Sequence, residues 1–434
     1  MGSAIARRTT LLGLTAAALA GKAHAQGAAP GCGLPNPTRA IEITSISNSF
    51  PLLQFLTAEM RACAGGNLRI ESRLTADNLP QTRVALAAGG PTPFQIVQVS
   101  NTSFTEFANR GQLQPIDDLV AKYRAEQRFD DIPRSLWEQA SFEGKVHALP
   151  FQSNVHLFFY RKDLFDKHGL AVPKTVEEMI AAAKTLKEKE PDLEFPLANI
   201  FGRGWNVATE FGNYYQSQGG TWLDERGGPV FNDARGVRAV ETMRAMLPYM
   251  SPNAVAFTGD DVMVAFQQGR SALGVVWASR AASMDAPEVS RVRGLFQFAP
   301  APAMEAGGLP SSALWWDAWA LPRTIAPDRD LVFRIAAASM TEAAMRKGGG
   351  LAAWSRQSVA TDPALVAENR HWPAISATLA AGVKSFPARP AFSLAHTAVG
   401  ASITEALQGR IPAKDALDRA AAQYTREARS QGLL

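Results

Sequence analysis

The sequence predicts an α/β protein built on two cores, and three observations carry that expectation. Strand-like and helix-like segments alternate along the chain, 434 residues exceed the usual size of a single core, and two glycine-rich breaks interrupt the second half. The elements follow in order. IEITSIS (41–47) is short, β-branched and partly alternating, and it runs through Asn48 and Ser49 into a helical pattern from Leu52 to Ala62. NLRIESR (67–73) reads as a strand, LPQTRVALAAGG (79–90) as a helix closed by glycines, and FQIVQVS (94–100) as a strand leading into TSFTEFANRG. Such an order implies a parallel sheet with helices on both faces, whose ligands bind beyond the carboxyl ends of the strands. Asn48, Ser49, Gln98, Ser100 and Asn101 lie at such ends.

The second α/β region is less regular. VHLFFY (155–160) reads as a buried strand, residues 176–187 and 208–218 as helices, and ALGVVW (272–277) as another strand. AMEAGGLPSSA (303–313) has the composition of a crossing segment, MRKGGGLAAWSRQS (345–358) is the second glycine-rich break, and two amphipathic helices, near 397–408 and 413–430, close the chain.

The first residues, MGSAIARRTTLLGLTAAALAGKAHAQ, place Arg7 and Arg8 ahead of an apolar run from Leu11 to Ala20 and end on Ala23-His24-Ala25. This is the pattern of an export leader spanning 1–25 and cleaved near Ala25. The paired arginines and Lys22 fit a twin-arginine signal, with an ordinary secretory leader as the alternative; either delivers the chain to the periplasm. Removing the leader drops three cations and no acids, taking the formal charge from +4 to +1. A near-neutral chain has no electrostatic footprint for nucleic acid. Cys32 and Cys63, bound for an oxidising compartment, are expected to form a disulfide, and scarce histidines without ligand spacing argue against a metal site.

ALPFQSNVHLFFYRKDLFDKHGLAVPKTVEEM (148–179), with Tyr160, Arg161, Lys162, Asp163, Leu164 and Phe165 at its centre, resembles the bacterial extracellular sugar-binding proteins of the maltose-binding type. GGTWLDERGGPVFND (219–233), FQQGRSALGVVW (266–277), LWWDAWALPRTIAPDRD (314–330) and ITEALQGRIPAKDALDRAAAQ (403–423) agree with that family in order and spacing. The stretches 272–302 and LWWDAW (314–319) look most like its sorbitol- and mannitol-binding branch. The chain departs from that branch at Ser279 and Arg280, where an acid usually follows the tryptophan. It departs from many sugar binders at the bulky Trp315-Trp316 pair, which implies a narrower cleft. The resemblance implies a two-lobe, type II periplasmic-binding-protein fold with three crossings, near Gln152–Asn154, Ala303–Ser311 and Gly350–Ser358. One lobe would comprise 37–152 with 304–350, and the other 153–303 with 351–434. It also implies a monomer that captures a small carbohydrate or polyol and passes it to the permease subunits of an ABC transporter, without cofactor or catalysis.

Sugars and polyols present apolar C–H faces and hydroxyl edges, so their sites need flat aromatic plates and short bifunctional polar groups. Trp205, Trp277, Trp315 and Trp316 are the candidate plates, Trp277 foremost because it ends a strand at a position matching the family's cleft aromatic; Trp222 and Trp319 read as core. Gln152 and Asn154, at the first crossing, are candidate hydroxyl contacts, as are Asn48, Ser49, Gln98, Ser100 and Asn101. Ser100 and Asn101 are equally suited to capping the helix that follows. Arg356 could clamp a hydroxyl pair or a carboxylate. Arg203 and Arg280 raise the same possibility, and two cleft arginines would indicate an anionic ligand such as a sugar acid or glycerophosphodiester. A glycosidase is the remaining alternative; its only support is acid pairs such as Asp260-Asp261, which also suit a helix start. No phosphate loop, nucleophile elbow or zinc motif is present.

Overall fold

Three strands, β1 (Ile41–Ser47), β2 (Leu68–Leu74) and β3 (Ile96–Ser100), pair in parallel with β1 in the middle, because a helix carries the chain back to the same end of the sheet before each new strand. The computed structural model describes residues 29–325, 328–387 and 389–434; the leader read at 1–25 lies outside the described residues. A disulfide joins Cys32 to Cys63, with Cα atoms 5.2 Å apart, and ties the start of the described chain to the end of the helix Pro51–Arg61.

The short hairpin β4 (Ser141–Phe142) and β5 (Lys145–Val146) precedes β6 (Ala148–Asn154), which enters the first sheet. One residue, Val155, then separates β6 from β7 (His156–Arg161), the central strand of a second, three-stranded sheet flanked by β8 (Leu273–Trp277) and β9 (Phe296–Pro300). From β9 the chain returns to the first sheet as β10 (Trp315–Ala320), and β11 (Ala353–Trp354) completes it in the order β11-β6-β10-β3-β1-β2.

The sheet is therefore mixed, a correction to the all-parallel expectation. β10 runs antiparallel to both β3 and β6, and β11 antiparallel to β6, because these strands are delivered by passages between sheets and not by helical crossovers. The third passage also lies later than expected. Ala353 and Trp354 still pair with β6, the helix Trp372–Ala380 packs on β9, Ser385 bridges to Leu314 just ahead of β10, and the chain enters the second helical cluster only at Phe386.

Alternation along β7 divides the interior. Leu157 and Phe159 face a cluster continuous with the first sheet, whereas Phe158 faces a cluster filled by helices Val176–Lys189, Trp205–Ser217, Ala234–Met246, Phe392–Leu407 and Ala413–Ser430. The second sheet is thus covered on both faces, which explains why HLFFYR reads as a continuous apolar run.

Candidate ligand-binding site

The site assembles where the second sheet ends and the first begins. β8 is buried until its last residue, Trp277, which emerges half-buried. Gly204 takes φ +73°, a left-handed conformation that lets the chain turn sharply into the helix Trp205–Ser217 and leaves Trp205 at its first position, 36% exposed. Trp315 opens β10. The three indoles converge: Trp205 lies stacked on Trp277 at 6.3 Å between centroids, and Trp315 meets both edge-on, at 5.2 Å from Trp205 and 5.6 Å from Trp277.

Beneath Trp277 lies His156, with ring centroids 3.7 Å apart. Its Nδ1 faces the Asn213 amide at 3.2 Å and its Nε2 lies 3.5 Å from Glu210. Both partners are fully buried, and desolvation drives both toward neutrality: the imidazole pKa falls to about 3 and the Glu210 carboxyl rises well above its ordinary range. This buried pair lies directly behind the aromatic plate.

The first sheet contributes polar chemistry. The Gln98 amide donates to Asp317 Oδ1 at 2.9 Å, while its Oε1 accepts from the Asn48 backbone N–H at 2.8 Å and from the Asn78 side chain at 3.3 Å. Gln152 donates to Asp317 Oδ2 at 2.6 Å. Burial raises the Asp317 pKa to about 6, against the lowering effect of donation from Gln98 and Gln152. A polar relay thus runs from the ends of β1 and β2 through Gln98 and Asp317 to Gln152 and the indole cluster.

The residues expected from sequence sort as follows. Trp205, Trp277 and Trp315 are brought together, Gln98 and Gln152 meet on Asp317, Asn48 stands at the same strand ends, and Ser49 is exposed beside it. Trp316 is corrected to a core residue: the alternation of β10 turns it to the opposite face, against the edge of Phe104. Trp222 and Trp319 are fully buried.

Asn101 is corrected to a structural tie, because its amide donates to the Leu314 carbonyl and accepts from the Trp316 N–H. Asn154 is likewise committed, accepting from the Val155 N–H and donating to the Ser279 hydroxyl. Ser100 occupies the cap position of the helix Asn101–Asn109, its N–H donating to the Ser103 hydroxyl. Arg356 is corrected most fully: it is 1% exposed, and its guanidinium donates to the carbonyls of Gln127, Arg128 and Met340. Arg280 is paired with Asp260, and Arg203 is exposed.

The sequence reading missed Asp317, Asn78, His156 and Glu210. Two of them carried a signal: Asp317 is the lone acid in the strand WWDAWA, and Glu210 is the lone acid in the helix WNVATEFGNYYQS. An unpaired acid inside an apolar element is either satisfied or neutral, and so marks a place to inspect.

Residues 69–321, more than half of the chain, match the family described as bacterial extracellular solute-binding protein. A mannitol-binding protein of Pseudomonas aeruginosa is 27% identical over 259 residues, 58% of this chain; the match spans 55% of the relative, about half its length. A solute-binding protein of an ABC transporter from Agrobacterium radiobacter K84, solved with ribitol, superposes with a TM-score of 0.79 at 23% identity and covers 90% of this chain and 100% of its own. One from Agrobacterium vitis S4, solved with D-mannitol, gives 0.77 at 21% identity, covering 91% and 99%. The fold is that of the two-lobe solute-binding proteins.

Proposed function

The chain belongs to the bacterial extracellular solute-binding proteins, and from that premise we propose that it captures a small neutral polyol or sugar and delivers it to the permease subunits of an ABC transporter. The observation that carries the reading is the convergence of Trp205, Trp277 and Trp315 on one side of a relay of Asn and Gln side chains. Indole faces cover the C–H surface of a polyol, and amides pair with its hydroxyls. In this reading the protein acts as an exported monomer and performs no catalysis.

The relatives solved or named with mannitol and ribitol support the polyol class. A second reading, an anionic ligand, is favoured by one observation, the exposed Arg203 two residues before Trp205. Its other two arginines are spent elsewhere, Arg356 on backbone carbonyls and Arg280 on Asp260.

A thermal-shift screen of sugars, polyols, sugar acids and glycerophosphodiesters, followed by calorimetry on the best compound, tests the proposal. Trp277→Ala is expected to cost at least ~2 kcal/mol, about thirtyfold in affinity, as loss of an aromatic anchor does, and Arg203→Ala to change little. A winning anion whose affinity falls more with Arg203→Ala than with Trp277→Ala overturns the neutral-ligand reading.

A further inference from the structure

Asp317 is a buried acid between two glutamines and an indole, and nothing in the fold requires a charge there. It is 4% exposed in the middle of an apolar strand, and β3, β6 and β10 carry no other ionisable side chain. On the flanking helices the ionisable groups are Arg83 and Glu106, and these are paired with each other. The carboxylate is held by hydrogen bonds alone.

Its effect on its neighbours follows from donor and acceptor chemistry. An ionised carboxylate only accepts, so both glutamines must turn their NH2 groups toward it, and each planar amide must then carry its oxygen away from it. For Gln98 that oxygen is satisfied by Asn48 and Asn78. For Gln152, which is 0% exposed, Oε1 has no hydrogen-bond partner among the described residues. A buried acceptor without a donor destabilises the empty protein, and a hydroxyl donor brought by a ligand relieves it. A ligand carboxylate brings no donor, and it meets the like charge of Asp317 in a desolvated setting, where repulsion is weakly screened.

We propose that Asp317 is a specificity-determining, positioning residue of the cleft: it orients Gln98 and Gln152 so that the site presents acceptors to hydroxyl groups and rejects carboxylates. The inference rests on the proposed binding of polyols and names the basis of its selectivity. Asp317 acts through the two glutamines that donate to it, and the Trp315 side chain lies near the carboxylate, two residues away on the same strand face.

The test compares D-mannitol with D-mannonate, which differ by one terminal carboxylate that stays ionised above pH 5. By calorimetry at pH 7.5 the wild-type protein is expected to prefer D-mannitol by tenfold or more, and that preference to shrink toward pH 5 with a midpoint near 6 as Asp317 takes a proton. Asp317→Asn, close in shape, is expected to lower the preference at least tenfold at pH 7.5 and to abolish the midpoint. An unchanged preference with an unchanged pH profile in Asp317→Asn overturns the proposal, as does a flat profile in the wild type. Should wild type bind neither compound, the polyol reading fails, and a ligand-free measurement then decides the Asp317 assignment. The Trp315 indole N–H resonance, assigned with Trp315→Phe, is expected to titrate near pH 6 in wild type. A Trp315 resonance that does not move between pH 5 and 7.5 refutes the relay.

Discussion

Arg356 illustrates what a side chain commits to when it is buried. Its guanidinium donates to three carbonyls, at 2.7 Å to Met340, 2.9 Å to Arg128 and 2.7 Å to Gln127, and desolvation lowers its pKa against the partial support of Asp131. Those carbonyls close the turn around residues 127–128 and the end of the helix Arg329–Ala338 and its following turn, so the residue stitches β11 to the rest of the first sheet's helices. Arg356→Ala strands three buried acceptors. At 1–3 kcal/mol for each group left unsatisfied, part of it recovered by water, we expect a loss of about 3 kcal/mol. A lower urea midpoint with an unchanged dissociation constant for the best ligand is the expected result; a large loss of affinity in folded protein would return Arg356 to the cleft. Arg356→Lys should rescue little, because a single ammonium cannot reproduce the fork.

At the scale of elements, one helix places another's first residue. A Cβ built on Gly400, in the helix Phe392–Leu407, would lie 2.2 Å from the carbonyl oxygen of Gly204, the residue that turns the chain into Trp205. Glycine inside a helix costs about 1 kcal/mol relative to alanine, so its presence here is repaid by the close approach. Gly400→Ala should push that turn away. We expect a stability loss of about 1–3 kcal/mol, as for overpacked cores, together with weaker ligand binding through a displaced Trp205; unchanged affinity would mean that the turn is positioned by something else. Elements with strong local patterns were legible in the sequence: IEITSIS coincides with β1, and residues 413–430 with the last helix. β6 was not, because Pro150 interrupts it; the structure accommodates that proline at the register shift between Asp317 and Ala318. β11 is two residues long and has no pattern to read. The same divide runs through the site. The place of Trp277 at a strand end was legible, whereas the contacts of Asn101, Asn154 and Asp317 depend on partners 125 to 219 positions away, which no local window contains.

For the molecule as a whole, buried titratable groups set how it responds to acid, and their signs oppose. Burial holds His156 and His396 at pKa values of about 3 and His371 at about 4, against 6.5 when unfolded. Between pH 6 and 5 the unfolded chain therefore binds up to three protons at these sites that the folded protein refuses, His147, also lowered by burial, adds to them, and stability falls as pH falls. Asp317, raised to about 6, and Glu210, raised well above its ordinary value, work in reverse: in this window the folded protein holds protons on them that the unfolded carboxyls, at 3.8 and 4.5, have mostly released. Three protons against two leave a net of about one, and one proton corresponds to about 1.4 kcal/mol per pH unit. These five groups should thus cost wild type roughly 1.4 kcal/mol between pH 6 and 5, where their three histidines alone would take about 4. Replacing Asp317 by Asn removes one opposing proton and should steepen the loss to about 2.7 kcal/mol over the same unit, and Glu210→Gln should do the same. Urea denaturation at pH 6.0, 5.5 and 5.0 checks the slopes. A shallower acid dependence in either variant would contradict the assignment of these two carboxyls as protonated in the fold.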